Sequence, residues 1–207
     1  MSITVIIIII TVFVSLASFQ NRELFDRLKF NAYQIKHSKE WYRAFTYGFI
    51  HADFVHLAIN MFVLYSFGSS IEYFFEETFP GKVILYFLAL YIGGVLFSTL
   101  FDMRKHNEDP SYNAVGASGA VSAVIFASIL FFPLGKLSLL FIPIQIPSFI
   151  FGTLYLIYSA YMNKKNIDNI GHSAHFWGAV YGFIFPIILK PALFENFLTQ
   201  IASFFDR

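Results

Sequence analysis

Cysteine is absent from this chain of 207 residues. Its absence excludes disulfides, thiolate nucleophiles and metal sites built on cysteine. Charge is also scarce: 14 Lys and Arg residues and 13 Asp and Glu residues give a net charge of +1, and the basic residues form no cluster. Because nucleic-acid binding needs a concentrated basic surface, we expect no nucleic-acid partner.

Apolar residues, in contrast, make up 57% of the chain and include 28 Phe. Soluble globular proteins are about 45–50% apolar. A helix needs about 20 mostly apolar residues to cross a bilayer, and lipid offers no partner to an unpaired backbone group, so each apolar run must be helical. The sequence therefore predicts an all-α polytopic membrane protein, with a bundle of six transmembrane helices at about 2–19, 54–75, 83–101, 117–134, 147–162 and 173–190.

The connections between these helices differ in character. The first, residues 20–53, is long and contains Trp41 and several other aromatic residues. Loops of that length usually contain helices, so we expect short helices in the membrane interface, where Trp and Tyr accumulate. Residues 191–207 have the pattern of an interfacial amphipathic helix. The first apolar run lacks the basic start of a signal peptide, and we interpret residues 1–207 as a single membrane domain that retains it.

Four polar residues occur where the pattern predicts lipid: His56, Asn60, Ser118 and His175. Polar side chains in membrane helices are energetically costly and often mark functional sites. They lie near the starts of the second, fourth and sixth helices, which all enter the membrane from the same side. His56 and Asn60 are four residues apart and share one helix face. We therefore expect the four side chains to converge near one membrane surface.

A serine becomes nucleophilic when a base takes its proton, and His175 could act in this way on Ser118. The helices that carry them could approach closely, because small residues crowd positions 116–123 and Gly178 and Gly182 form a small-xxx-small stripe.

Acyl transfer also requires donors for the developing oxyanion. Backbone N–H groups at the start of the fourth helix, at Ser118, point toward such a site. The side chains of His56 and Asn60 could add to them from the second helix. The residues therefore predict peptide hydrolysis within the bilayer or at its edge.

Five short motifs occur together in this chain. They are G-x-S-G at 116–119, A-H-x-x-G-x-x-x-G at 174–182, H-x4-H-x3-N at 51–60, G-x3-E at 68–72, and the run WYRAFT at 41–46. In these motifs the sequence resembles the rhomboid family of intramembrane serine proteases. The family usually has Trp-Arg and then Thr in the last motif, whereas here Tyr42 replaces the Trp and Trp41 lies one place earlier. The resemblance covers helices two to six and the long first loop.

The resemblance implies a catalytic dyad without an aspartate, in which Ser118 is the nucleophile and His175 the base. It places His56 and Asn60 on the oxyanion side, together with Ser118. It implies neither a cofactor nor a metal. Arg43, His51 and Glu72 would hold the first loop and the second helix in place. The full set of expected supporting residues is Arg43, His51, Glu72, Gly116, Gly119, Gly178 and Gly182.

A second position, besides Tyr42, departs from the family pattern. Some members have an aromatic residue four positions after the serine that stacks on the catalytic histidine, whereas this chain has Ser122. Another group must then orient the histidine. The aromatic residues of the fifth helix are interpreted as mostly lipid-facing, with a substrate contact as the alternative; they are Phe149, Phe151, Tyr155 and Tyr158.

Other arrangements of the same residues are less consistent with the sequence. Asp168 could complete a triad, but its polar loop favours a solvated residue. His172 and His175 are three apart and could bind metal, yet no H-E-x-x-H motif or suitable carboxylate accompanies them. A G-x-S-x-G elbow would require glycine in place of Ala120, and a preceding strand.

Two other functional classes remain open. A non-catalytic rhomboid-like protein would bind membrane clients without cleaving them, although such proteins usually lack the serine or the histidine. A channel or transporter would need a polar path across the bilayer, whereas the middles of these helices are apolar.

The resemblance implies single-pass transmembrane proteins as substrates, which enter from the surrounding bilayer and unwind locally at the cleaved bond. It also implies a multi-pass protein of the cell membrane, of the bacterial inner-membrane type, with the site facing the exterior. The Lys and Arg distribution predicts the opposite orientation, because most of these residues lie in loops on the side of the site. We follow the family topology, since the first loop is expected to fold in the interface.

Overall fold

The computed structural model describes residues 2–138, 145–165 and 170–206. Helices dominate this part of the chain, as the sequence predicts. A 3-10 helix (Tyr47–Phe49) and two short strands, β1 (Lys136–Ser138) and β2 (Gln145–Pro147), accompany them. The α-helices are α1 (Ile3–Gln20), α2 (Arg22–Leu28), α3 (Ala32–Ser38), α4 (Arg43–Thr46), α5 (Phe54–Thr78), α6 (Val83–Lys105), α7 (Ser118–Phe131), α8 (Ser148–Lys165), α9 (His172–Leu189) and α10 (Ala192–Phe205).

Four helices in the described part of the chain, α1, α5, α6 and α9, are long and apolar enough to cross a membrane. Helix α7 is apolar but has only 14 residues, and α8 ends in Lys164 and Lys165. The all-α polytopic membrane fold is confirmed, while the count of six spans stays a prediction, as does the single domain over residues 1–207.

Helix α7 is the centre of the bundle. Eleven of its residues, from Gly119 to Leu130, are buried, and it packs against α5, α6 and α9. Membrane helices gain little from the hydrophobic effect between them, so close packing depends on small residues. Here Gly94 of α6 lies against Ala120 and Ala123 of α7. The start of α7, which is rich in small residues, is therefore the surface that the neighbouring helices contact.

The first connection contains α2, α3, α4 and the 3-10 helix, so the short helices predicted between residues 20 and 53 are present. The side chains of Asn21 and Asn31 accept hydrogen bonds from the starts of α2 and α3. Phe30 and Ala114 exchange two backbone hydrogen bonds of 2.9 and 3.2 Å. The connection is thus tied to the segment that leads into α7.

The strands were not predicted, and they form a short antiparallel pair in which Lys136 faces Pro147. The pair ends where Pro147, which has no N–H, cannot continue the ladder. Ser148 then begins α8: its N–H donates to the carbonyl of Gly135 at 2.7 Å, and its hydroxyl to that of Phe132 at 2.7 Å.

Helix α1 buries one polar face against the bundle. Thr4, Thr11, Ser15 and Ser18 recur at helical spacing and are all at most 3% exposed. A Cβ at Gly68 of α5 would overlap the side chain of Thr4, so this face packs directly on α5. At the other end of the chain, the predicted amphipathic helix is present as α10.

Candidate active site

A tight turn sets the position of Ser118. Gly116 has φ = +117°, a left-handed conformation that glycine adopts readily because it has no Cβ. Its N–H donates to the carbonyl of Tyr47 at 3.0 Å, and the next N–H, that of Ala117, donates to Nε2 of His51 at 3.3 Å. The turn is therefore held by the first connection, and Ser118 follows as the first residue of α7.

The start of α7 leaves backbone donors available. The first N–H groups of any helix have no partner within it, and the residue at the N-cap is Ala117, whose methyl group cannot cap them. These groups lie at the positive end of the helix dipole. Backbone N–H groups in this position can stabilise a negative charge that develops beside Ser118.

Close backbone contact joins α7 to α9. A Cβ at Gly178 would lie 2.1 Å from the carbonyl oxygen of Gly119, and one at Gly182 would lie 2.0 Å from that of Ala123. A Cβ at Gly119 would lie 3.3 Å from the carbonyl oxygen of Ala174. Glycine is required at Gly178 and Gly182 because the two backbones are in contact there.

This contact brings the first turns of α7 and α9 together. Ser118 and His175 are direct chain neighbours of the contacting residues Gly119 and Ala174, and both are half-buried. A catalytic hydrogen bond between a serine and a histidine is often long in sites without substrate and tightens when substrate binds.

His56 lies beside the turn. A Cβ at Gly116 would be 2.7 Å from Cε1 of His56 and 2.9 Å from its Nε2, so the ring packs on the turn two residues before Ser118. Asn60 is 6% exposed, and its amide donates to the carbonyl of His56 at 2.9 Å. The predicted oxyanion residues therefore differ: His56 adjoins the serine turn, whereas the amide of Asn60 bonds its own helix.

Tyr155, which the sequence interpretation places on a mostly lipid-facing surface, contacts His175. The ring of Tyr155, on α8, stacks on the imidazole with 6.2 Å between centroids and 25° between planes. Its hydroxyl forms a 2.7 Å hydrogen bond with the hydroxyl of Ser122. The lipid-facing interpretation of Tyr155 was wrong, because the rotation of α8 turns this face toward the bundle. Ser122, as the departure from the family pattern, was the available signal.

The other aromatic residues of α8 also contact protein groups. Tyr158 packs edge-on against His172, Phe151 stacks on Tyr155, and Phe149 packs against Phe204 of α10. Tyr158 is nevertheless 53% exposed, so this face is shared between the bundle and its surroundings.

The guanidinium of Arg43 contacts three residues of the first connection. Its guanidinium donates to the carbonyls of Asp26 and Lys29 at 2.7 and 3.0 Å, and to Glu40 at 2.5 Å. The bond from Arg43 lowers the pKa of the Glu40 carboxyl. These contacts close the end of α2 and hold the first connection together.

Glu72 joins the second membrane helix, α5, to the beginning of α1. Its carboxylate accepts hydrogen bonds from the hydroxyl of Ser2 at 2.5 Å and from the N–H of Thr4 at 2.8 Å. A carboxylate at a helix start satisfies free N–H groups and complements the dipole. These contacts hold α5 against α1, and a contact of Glu72 with the first loop stays a prediction.

Asp168, the alternative third member of a triad, lies outside the described residues. Within the described residues, no group of three side chains has the composition and proximity of a metal site.

Comparison with known proteins gives a consistent relationship. Residues 38–192 match the family model described as a rhomboid domain. RHOMBOID-like protein 12, mitochondrial, from Arabidopsis thaliana is 31% identical over 154 residues, which cover 67% of this chain and 44% of that protein. Presenilin-associated rhomboid-like protein, mitochondrial, is 29% identical over 152 residues in Homo sapiens, covering 72% of this chain and 38% of that protein. The Bos taurus form is 30% identical over 138 residues, which cover 65% of this chain and 34% of that protein.

The matched residues thus span less than half the length of these relatives. All three relatives are named as mitochondrial, so the bacterial inner membrane expected from the sequence gains no support from them.

Proposed function

This chain belongs to the rhomboid family, and on that premise we propose that it is an intramembrane serine endopeptidase with Ser118 as nucleophile and His175 as base. The observation that carries the proposal is the backbone contact between α7 and α9 at Gly119 and Gly178. It brings the first turns of the two helices together, with one catalytic residue on each.

The chemistry follows from the residues. His175 takes the proton of the Ser118 hydroxyl as its oxygen attacks the peptide carbonyl. The protonated His175 then gives that proton to the departing amine. A water molecule, deprotonated by the same histidine, hydrolyses the acyl-enzyme and restores the hydroxyl.

The oxyanion forms beside the start of α7. Backbone N–H groups at Ser118 and the ring of His56, which lies against Gly116, are the proposed donors. Losing one such donor typically lowers the rate about 10²–10³-fold. Asn60 contributes through its bond to the His56 carbonyl, which fixes the turn of α5 that carries His56.

The proposed substrates are single-pass transmembrane proteins whose helix unwinds near the membrane edge. The site lies at the start of membrane helices, so a peptide bond reaches it only from an extended segment. Replacing the helix-breaking residues of a substrate with leucine should therefore slow cleavage, and unchanged rates would contradict local unwinding.

The test of the function uses the full chain, purified in detergent and mixed with a transmembrane-helix substrate. Wild type is compared with Ser118→Ala and His175→Ala, with and without a chelator. Two matched controls are Ser66→Ala, at an exposed serine of α5, and His37→Ala, at an exposed histidine of the first connection.

We expect wild type and both controls to cleave and both site variants to be inactive, without any effect of the chelator. Cleavage that survives in Ser118→Ala would contradict the proposed nucleophile. A folded wild type that binds the helix and never cleaves would favour the non-catalytic, client-binding alternative.

A further inference from the structure

The base of the proposed reaction is contacted by a ring from a third helix. Tyr155 of α8 stacks on His175 of α9 at 6.2 Å between centroids. The same tyrosine is fixed at its other end, because its hydroxyl and that of Ser122 on α7 are 2.7 Å apart. The ring is thus held between α7 and α9, the two helices that carry the proposed dyad.

The identity of residue 122 makes this arrangement possible. It lies four positions after Ser118, so the two side chains are on the same face of α7. Ser122 is 2% exposed, and Tyr155 already fills the space in front of it. A large side chain at position 122 would compete for the same volume, so only one of the two helices can supply the ring.

A catalytic base must lie near the nucleophile and must also have its ring turned toward it. An imidazole at a helix start turns about two side-chain bonds, and a reacting group misplaced by 1 Å can lower the rate about 10²-fold. The stacked ring of Tyr155 restricts that rotation from one side. A second histidine, His172, packs edge-on at 6.0 Å between centroids.

We infer that Tyr155 is a positioning residue of His175, supplied by α8 because Ser122 leaves α7 without a ring at that place. This inference rests on the proposed function, since it concerns the base of the same reaction. It deepens that function by giving α8 a direct part in the geometry of the dyad.

Helix α8, which carries Tyr155, is loosely packed against the rest of the bundle. Only Ser148, Gly152 and Ser159 are buried among the described residues of this 18-residue helix. A cavity of about 340 Å³ with an apolar lining lies between part of α8 and helices α7, α9 and α10. Helix α8 is therefore less tightly packed than α7, and any displacement of α8 withdraws Tyr155 from His175. The alignment of the base is coupled to the position of α8.

The test compares the turnover of variants that remove, keep or move the ring. Tyr155→Ala removes it, and we expect kcat to fall roughly 10- to 100-fold with KM nearly unchanged. Tyr155→Phe keeps the ring and loses only the bond to Ser122, so its kcat should lie between those of Tyr155→Ala and wild type. The matched control is Tyr161→Ala, at a 57% exposed tyrosine of the same helix.

The decisive variant is the double substitution Ser122→Tyr with Tyr155→Ala, which supplies a ring from α7 to the space vacated on α8. A positioning role predicts that kcat recovers most of its loss. A purely structural role of Tyr155 predicts no recovery, because the second substitution adds another change to the core.

A spectroscopic measurement detects the contact between the rings of Tyr155 and His175 without requiring turnover. In protein labelled at histidine, the imidazole resonance assigned through His175→Gln should shift when Tyr155 is replaced by alanine, since the ring current is lost. An unchanged resonance would overturn the inference.

Wild-type turnover separates the remaining outcomes. Equal kcat in wild type and Tyr155→Ala would overturn the inference and leave the proposed function intact. A wild type that neither cleaves a transmembrane helix nor reacts with a fluorophosphonate probe would contradict the proposed function, and the catalytic role of Tyr155 with it.

Discussion

Nε2 of His51 accepts a hydrogen bond from the N–H of Ala117 at 3.3 Å, one residue before the proposed nucleophile. This bond fixes the tautomer: the proton of the neutral ring must lie on Nδ1, which is 3.0 Å from the hydroxyl of Ser15. That hydroxyl donates in turn to the carbonyl of Phe49 at 2.9 Å. A chain of hydrogen bonds thus joins α1 to the turn that presents Ser118.

The first prediction concerns pH, because a protonated His51 could not accept this bond. Burial lowers the pKa of His51 to about 3, against about 6.5 in the unfolded chain. The unfolded state therefore binds the additional proton between these values, and stability falls as pH drops below about 6.5. For one such group the loss is about 1.4 kcal/mol per pH unit.

Melting temperatures of wild type and His51→Gln in detergent between pH 7.5 and 5.0 would test this. His51→Gln should be less stable at pH 7.5 and should show a shallower decline toward pH 5.0. Parallel declines in the two proteins would contradict the role of His51. His37→Gln, at an exposed position, is the control.

The second prediction concerns the contact between α7 and α9. Gly178→Ala and Gly182→Ala each place a Cβ within 2.1 Å of a carbonyl oxygen of α7, so the helices must separate. Such overpacking typically costs about 1–3 kcal/mol, and the shift should also abolish most peptidase activity. Thermal melting and cleavage of a transmembrane substrate measure the two effects.

Gly171→Ala is the matched control, because the one contact its Cβ would make with the described residues beyond its chain neighbours is with the Cβ of Ala174, at 3.7 Å. It should behave as wild type. Full activity in Gly178→Ala would show that the close approach is not needed for the dyad.

The third prediction separates backbone strain from crowding at the serine turn. Gly116→Ala introduces a side chain at φ = +117° and also 2.7 Å from the ring of His56. Gly81→Ala introduces one at φ = +74°, where no described residue other than its chain neighbours has an atom within 4 Å. Both should lose about 1–2 kcal/mol of stability, whereas only Gly116→Ala should lose activity. Comparable kcat values in the two variants would argue against His56 as an oxyanion donor.

The fourth prediction concerns orientation, and the absence of cysteine makes it simple to measure. Lys105→Cys, at the end of α6 on the side of the site, should react with an impermeant maleimide from outside intact cells. Lys82→Cys, before α6 on the other side, should react only after the membrane is opened. The reverse pattern would support the orientation that the Lys and Arg distribution predicts.

The positions of the helices could be predicted from sequence because lipid requires every apolar run to pair its backbone groups internally. The residues at which the helices end could not be predicted in this way. The second helix was predicted at 54–75 and extends to Thr78, and the third was predicted to end at 101 and extends to Lys105. Hydropathy marks the apolar part of a helix, whereas backbone hydrogen bonding continues into polar residues outside it.

The residues around the serine could be identified by motif, but their partners could not. Spacing places Ser122 and Ser118 on one face, yet it carries no information on how α8 is rotated, and so Tyr155 was assigned to lipid. The same holds for Ser15, which is 36 residues from His51 in sequence. Contacts between distant segments depend on how helices pack, and a single sequence does not record that packing.

The hydroxyl-bearing face of α1 has a consequence for biosynthesis. This helix enters the membrane before α5 and α7 have been made, so Thr4, Thr11, Ser15 and Ser18 meet lipid first and their final neighbours later. The connection from Ser15 through His51 to Ala117 closes only after the start of α7 has left the ribosome. An incompletely synthesised chain therefore exposes a polar helix face to lipid, the kind of feature by which membrane quality control distinguishes unfinished proteins from assembled ones.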